Sequence, residues 1–121
     1  MRIIVAGSPA WPDPLMVGRE LTKLYLQHGA FVLVHEGGAT GVDAAAHRWC
    51  EWAGTELGCF EVRHPADYVH HGKDARVHKG GELVQVGADL LVAFLVFDDQ
   101  ETTQVIKLAE EVGVPVKKVM G

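Results

Sequence analysis

Cysteine is scarce in this chain of 121 residues: Cys50 and Cys59 are the two present, too few for a disulfide framework. Long apolar runs are missing as well. Met1–Ala6 is apolar only briefly before Gly7 breaks it, too short for the core of a secretory signal, and Leu90–Phe97 is far too short to span a bilayer. A reducing, cytoplasmic setting with no membrane partner is therefore expected. Basic residues are not in excess either. With 11 Lys and Arg against 16 Asp and Glu, the formal net charge is −5, which withholds general attraction to a polyanion and disfavours nucleic acid as a partner. No Gly-x-Ser-x-Gly elbow, Walker A motif or protein-kinase signature occurs, and no repeat or low-complexity segment. What is present is ordinary globular composition, 48% hydrophobic and 22% charged, in a length that suits one domain over residues 1–121.

Apolar runs and helical patterns alternate along that length. Arg2–Ala6 reads as a buried strand, followed by a Gly/Ser/Pro loop through Pro14. Leu15–His28 reads as an amphipathic helix, with Val17, Leu21, Leu24 and Tyr25 on one face and Gly29 as its stop. Phe31–Val34 is a second strand and Val42–Trp52 a second helix closed by Gly54. Cys59–Val62 and Leu90–Phe97 are further strands, the latter apolar enough to be central, and Glu101–Val112 and Val114–Val119 supply a last helix and strand. Between the third and fourth strands lie a polar loop, Arg63–Lys73, and a helix over Asp74–Val86 that the Gly80-Gly81 pair weakens. Such alternation predicts an α/β fold: a Rossmann-like three-layer domain around a mainly parallel sheet of about five strands. Ligands of such sheets bind beyond the carboxyl ends of the strands, where strand order reverses. The loops to inspect are thus Gly7–Pro14, Glu36–Gly41, His64–Lys73 and Asp98–Thr103, all expected at one edge.

The most informative stretch is Val32-Leu33-Val34-His35-Glu36-Gly37-Gly38-Ala39-Thr40-Gly41-Val42-Asp43, a strand running into three clustered glycines and then a helix. Glycines let backbone N–H groups approach a ligand, and a helix N-terminus offers unpaired donors and a positive dipole end. Asp43 either accepts a ribose hydroxyl or simply stabilises the helix dipole. Ser8 and Gly7 after the first strand either contact ligand or form a tight turn. The segment Arg63–Lys79 concentrates Arg63, His64, His70, His71, Lys73, Arg76, His78 and Lys79 against Asp67 and Asp74. It reads either as a solvated loop or as a cationic wall facing the glycines, with Lys73 the best phosphate partner. Tyr68 and Trp11 each have two roles open, stacking on a base or packing against the sheet. His47, Cys50, Cys59 and His64 invite a metal. However, Cys59 and His64 flank a strand and stand roughly 16 Å apart at about 3.3 Å per residue, too far to share one zinc. No metal and no cofactor are expected, and Cys50 reads as a small core residue.

Taken together, Gly7-Ser8, Gly37-Gly38-Ala39-Thr40-Gly41-Val42-Asp43, and Pro65-Ala66-Asp67-Tyr68 followed by Gly72-Lys73 resemble the YspA/YpsA-like branch of the SLOG superfamily. These are Rossmann-like proteins related to the LOG phosphoribohydrolases and to DprA. The resemblance implies binding of a nucleotide or nucleotide-derived molecule, such as ADP-ribose, as a sensor or sequestering module. Its site would comprise Gly7, Ser8, Gly37, Gly38, Ala39, Thr40, Gly41, Asp43, Asp67, Tyr68 and Lys73, with Thr102 and Thr103 near the last helix. Departures are clear: Pro9 stands where an Arg commonly follows Gly-Ser, Lys79-Gly80 where an Arg-Asn pair is frequent, and Glu101-Thr102 where Gly-Thr is usual. Losing an Arg removes a bidentate phosphate clamp, and Lys supplies only a point charge. The LOG motif Pro-Gly-Gly-x-Gly-Thr-x-x-Glu has no counterpart in Phe97–Val105, where Val105 occupies the place of its Glu. The alternative function, hydrolysis of a nucleotide N-glycosidic bond, would then need a non-standard carboxylate such as Asp98, Asp99 or Glu101. Exposed apolar helix faces make a homo-oligomer, a homodimer first, a further expectation.

Overall fold

A computed structural model describes residues 1–66, 68–72 and 75–121. Five strands, β1 (Arg2–Gly7), β2 (Val32–His35), β3 (Phe60–Arg63), β4 (Leu90–Leu95) and β5 (Val116–Met120), form one sheet in the order β3-β2-β1-β4-β5. Every pairing is parallel, with Ile3 opposite Leu33 on one side and Leu90 on the other. The helices are α1 (Pro14–His28), α2 (Gly41–Glu56), α3 (Tyr68–His71), α4 (Ala75–Val86) and α5 (Gln100–Glu111). This is the Rossmann-like α/β architecture that the alternating pattern predicts, with β1 in the middle and β4 beside it.

Side chains alternate across a strand, so each strand feeds two cores. Ile3, Val5, Leu33, Val92 and Phe94 pack with α1 and α2, whereas Ile4, Val34, Leu91, Ala93 and Leu95 pack with α4 and α5. Both faces being covered explains why β4 is apolar without alternation. Trp11 belongs to the first core, edge-on to Phe94 with centroids 5.4 Å apart. Its indole N–H donates to the Asp13 carbonyl at 2.7 Å, so this ring packs against the sheet. Cys50 and Cys59 are buried free thiols, and burial pushes Cys50 up to about 12.

Local chemistry sets the helix ends. Asp13 caps α1, accepting from the Met16 N–H at 3.1 Å with Pro14 in the first turn, and Gly29 at φ 80 closes it. α2 runs past Gly54, the expected stop, to Glu56. The turn falls instead at Gly58, φ 72, and the Ala53 carbonyl accepts from both Leu57 and Cys59 N–H groups. The expected polar loop after β3 contains the single turn α3.

The Gly80-Gly81 pair does not break α4, for a packing reason. A Cβ on Gly80 would stand 2.6 Å from Val105 Cγ2 of α5, whereas one on Gly81 would meet only the tip of Leu108 at 3.3 Å. Gly80 therefore sets the approach of the two helices. Gly80→Ala is expected to destabilise by about 1–3 kcal/mol through overpacking. Gly81→Ala is expected to be neutral or to gain up to about 1 kcal/mol of helix propensity. Urea denaturation of the two variants checks the contrast; equal effects would contradict this packing account.

Candidate functional site

Strand order reverses between β1 and β4, so the loops leaving those strands diverge and leave a crevice. Its floor is the junction of β1 with α2. A Cβ on Gly7 would lie 2.5 Å from Val42 Cγ2 and 2.9 Å from the Phe94 carbonyl oxygen, so Gly7 is required by packing. The Ser8 hydroxyl accepts from the Ala10 N–H at 2.9 Å, and its carbonyl accepts from Trp11 and Val42 N–H groups. Gly41, at φ 66, presses against the Ser8 carbonyl and the Pro9 backbone. These three residues build the junction; Ser8 also lines the crevice.

Above the junction, Pro9, Glu36, Gly37, Gly38, Ala39, Thr40, Asp43, Pro65, Ala66 and Arg76 surround a hollow of about 370 Å³. The loops after β1, β2 and β3 meet there. His35 and Glu36 are neighbours in sequence and point to opposite sides of the sheet: His35 toward α2, Glu36 toward α4. Gly37, at φ 78, donates its N–H to His35 Nδ1 at 3.0 Å, and Gly38 donates to Asp43 Oδ2 at 3.1 Å. Thr40 precedes α2 in extended conformation without a side-chain cap bond. Asp43 thus both closes the loop from within and places a carboxylate in the first turn of α2.

Arg76 is the centre of the crevice. It donates to the Gly7 carbonyl and to Glu101 Oε2 at 2.9 Å, with its Nε 3.5 Å from Glu36 Oε2. A second hollow, of about 420 Å³, lies on its other side, walled by Ser8, Pro9, Val96, Asp98, Asp99, Gln100 and Glu101. Burial and the charges of Asp43 and Glu101 push Glu36 from 4.5 to about 7, against the opposing pull of Arg76. Arg76 is thus shared by two carboxylates, one of them held near neutrality.

Asp67 and Lys73 are outside the described residues, as is the side chain of Tyr68. Asp99 caps α5, accepting from the Thr102 N–H at 3.1 Å, and Asp98 adopts φ 60 in the turn before it. Thr102 is buried, and Thr103 donates its hydroxyl to the Asp99 carbonyl and lines a cavity against Met120 and Lys107 that adjoins the second hollow. Neither threonine walls the two hollows beside Arg76. Within the basic segment, Arg63 covers Gly37 and Arg76 fills the crevice, while His71 stacks on His78 and Lys79 pairs with Glu82. Glu36 was not among the expected site residues, and Arg76 was expected only as one member of a cationic wall in which Lys73 was the best phosphate partner. The available signal was the alternation of β2, which sends consecutive polar side chains to opposite faces at the strand's end.

The Rossmann-like fold agrees with what this chain is similar to. The model of the YspA, cpYpsA-related SLOG family matches residues 1–71, from β1 through α3, and the chain belongs to that family. The Gene 61 protein of Mycobacterium phage D29 is 36% identical over 119 residues, covering 95% of this chain and 93% of the relative. Among solved structures, the C-terminal domain of a hydrogenase from Pyrococcus furiosus superposes with a TM-score of 0.55 over 98% of this chain and 90% of that one. At 16% identity that likeness concerns the fold alone. No helix among the described residues is long and apolar enough to cross a membrane.

Proposed function

We propose that the crevice binds a nucleotide-derived small molecule, its phosphate at Arg76 and the Gly37–Thr40 loop and its ribose hydroxyls at the flanking carboxylates. The observation that carries this reading is the placement of Arg76, tied to the Gly7 carbonyl and flanked by a hollow on each side. A guanidinium recognises phosphate in fork geometry, and carboxylates accept hydroxyl protons. Membership of the SLOG family supports a nucleotide-related ligand. Native mass spectrometry after incubation with AMP, ADP-ribose and NAD tests it: a ligand retained at its input mass is expected. Loss of every nucleotide under gentle conditions would leave the glycine loop as packing alone.

Glu36 supports a second reading, N-glycosidic hydrolysis. Asp99 is committed to capping α5, whereas Glu36 faces the hollow and titrates at about 7, suited to exchanging a proton with a leaving base. If the site turns its ligand over, a base-free ribose phosphate is retained by the native protein. Glu36→Gln then retains the intact nucleotide and loses about 100-fold or more in rate, the usual contribution of a general acid–base group. Equal turnover by Glu36→Gln would remove this carboxylate from the chemistry.

A further inference from the structure

His35, the last residue of β2, is fully buried beneath the glycine loop at 0% exposure. Its Nε2 lies 2.6 Å from Glu61 Oε2, and its Nδ1 accepts the Gly37 N–H at 3.0 Å. A ring nitrogen that accepts carries no proton, so this imidazole is neutral, with its hydrogen on Nε2 donated to Glu61. Next to it, Asp43 takes the Gly38 N–H through Oδ2 and holds Oδ1 3.5 Å from His35 Nδ1. Two successive amides of the loop are thus occupied by side chains of the protein, His35 and Asp43.

We infer that His35 is the positioning residue of the glycine loop, and that protonation of its Nδ1 releases the Gly37 amide toward the hollow, so that an anionic ligand binds with uptake of a proton. The inference rests on the reading that the hollow takes a phosphate-bearing ligand. The step needs only a proton from water: Nδ1 gains it, can no longer accept from Gly37, and donates to Asp43 Oδ1. The loop then has one more free donor and an imidazolium below it, both favourable to an anion.

The charges around His35 favour such a change. From β3 come Glu61 and, 3.9 Å from it, Arg63. From α2 come Asp43, the Cys50 thiol, and His47, which binds Glu61 at 2.8 Å and Glu51 at 3.0 Å. Glu36 lies on the other face of β2, where α4 contributes Arg76 and α5 contributes Glu101, all three turned toward one another. Burial opposes the imidazolium, but the hydrogen bonds and charges of Asp43 and Glu61 outweigh it and raise His35 above 6.5. By linkage, a bound anion raises it further.

Two measurements on the intact chain test the inference. In ligand-free protein, nitrogen-15 NMR between about pH 5.5 and 8.5 is expected to show the Gly37 amide and His35 Nδ1 titrating together. The neutral ring should carry its proton on Nε2. In His35→Asn, whose Oδ1 stands where Nδ1 was and accepts without titrating, the Gly37 response should lose the component that tracks His35 and keep only that of the neighbouring Glu36. The second measurement is calorimetry with ADP-ribose, whose diphosphate charge is constant over this range. It is made in the native chain and in His35→Asn, so that the contribution of Glu36, common to both, cancels in the difference. Binding by the native chain should tighten about tenfold more on acidification than binding by His35→Asn, and equal pH dependence in the two overturns the coupling. A Gly37 amide indifferent to the His35 titration, or a neutral ring protonated on Nδ1, overturns the inference without any variant. ADP-ribose binding that ignores pH overturns the coupling while leaving the ligand reading intact. Gly37 titration without ADP-ribose binding at either pH overturns the ligand reading and the coupling built on it.

Discussion

Gly41→Ala is expected to destabilise the protein by about 3–5 kcal/mol, comparable to the whole stability of a weak domain. Two independent costs combine. The residue sits at φ 66, a conformation that an L side chain adopts only under strain. A Cβ there would also run into the Ser8 carbonyl and the Pro9 backbone, with Pro9 Cα at 2.6 Å. Neither neighbour is the flexible end of a side chain, so relief requires moving β1's loop away from α2. Gly29→Ala isolates a backbone cost, because Gly29, at φ 80 and ψ −165, has nothing within 4 Å of an added Cβ. It should lose about 1–3 kcal/mol, less than Gly41→Ala. Thermal or urea unfolding of the pair checks this, and similar losses at both positions would refute the steric part.

Arg76→Ala should cost about 2–3 kcal/mol and abolish ADP-ribose retention, because it leaves Glu36 and Glu101 facing one another and the Gly7 carbonyl without its guanidinium donor. The loss depends on pH with a definite sign. Glu36 titrates at about 7 when folded against 4.5 when free. Its favourable proton binding is therefore fully present below the free value and is lost as pH rises through the folded one. Removing Arg76, which opposes the shift, drives the folded pKa higher still and extends the window upward. The deficit in urea should be larger near about pH 8.5 than near about pH 6, and adding Glu36→Gln should recover much of it. A pH-independent deficit would show that Arg76 acts through packing of its stem alone.

The strands and the paired helices were legible in the sequence because burial on two faces leaves continuous apolar runs and a 3.6-residue period leaves helical stripes. Gly29 announced the end of α1 since a surface glycine at a helix end is explained by local conformation. Gly54 misled because it lies inside α2, where an added Cβ would make only ordinary contact with the Cys59 carbonyl, while the stop falls at Gly58, whose φ of 72 calls for glycine. The glycine loop was visible as a motif, but its electrostatic character was not. Arg76, Glu36 and Glu101 come from α4, the end of β2 and α5, and only parallel pairing through β1 brings them together. Thr102 and Thr103, expected at the ligand from the resemblance, are instead held in the first turn of α5, where Asp99 engages both.

The sheet order also bears on how the chain acquires its structure. β1 is the first strand synthesised, yet one of its edges stays open until β4 exists. The bond from Arg2 N–H to Asp89 spans 87 positions. The segment matched by the family model, residues 1–71, supplies β3-β2-β1 but none of the strands that close that edge. Half the sheet can therefore assemble early only with one edge of β1 open, a state prone to sticking to its neighbours. Such distant pairing places this domain among the slower folders of its size, and makes the stretch of synthesis before residue 95 its most exposed moment.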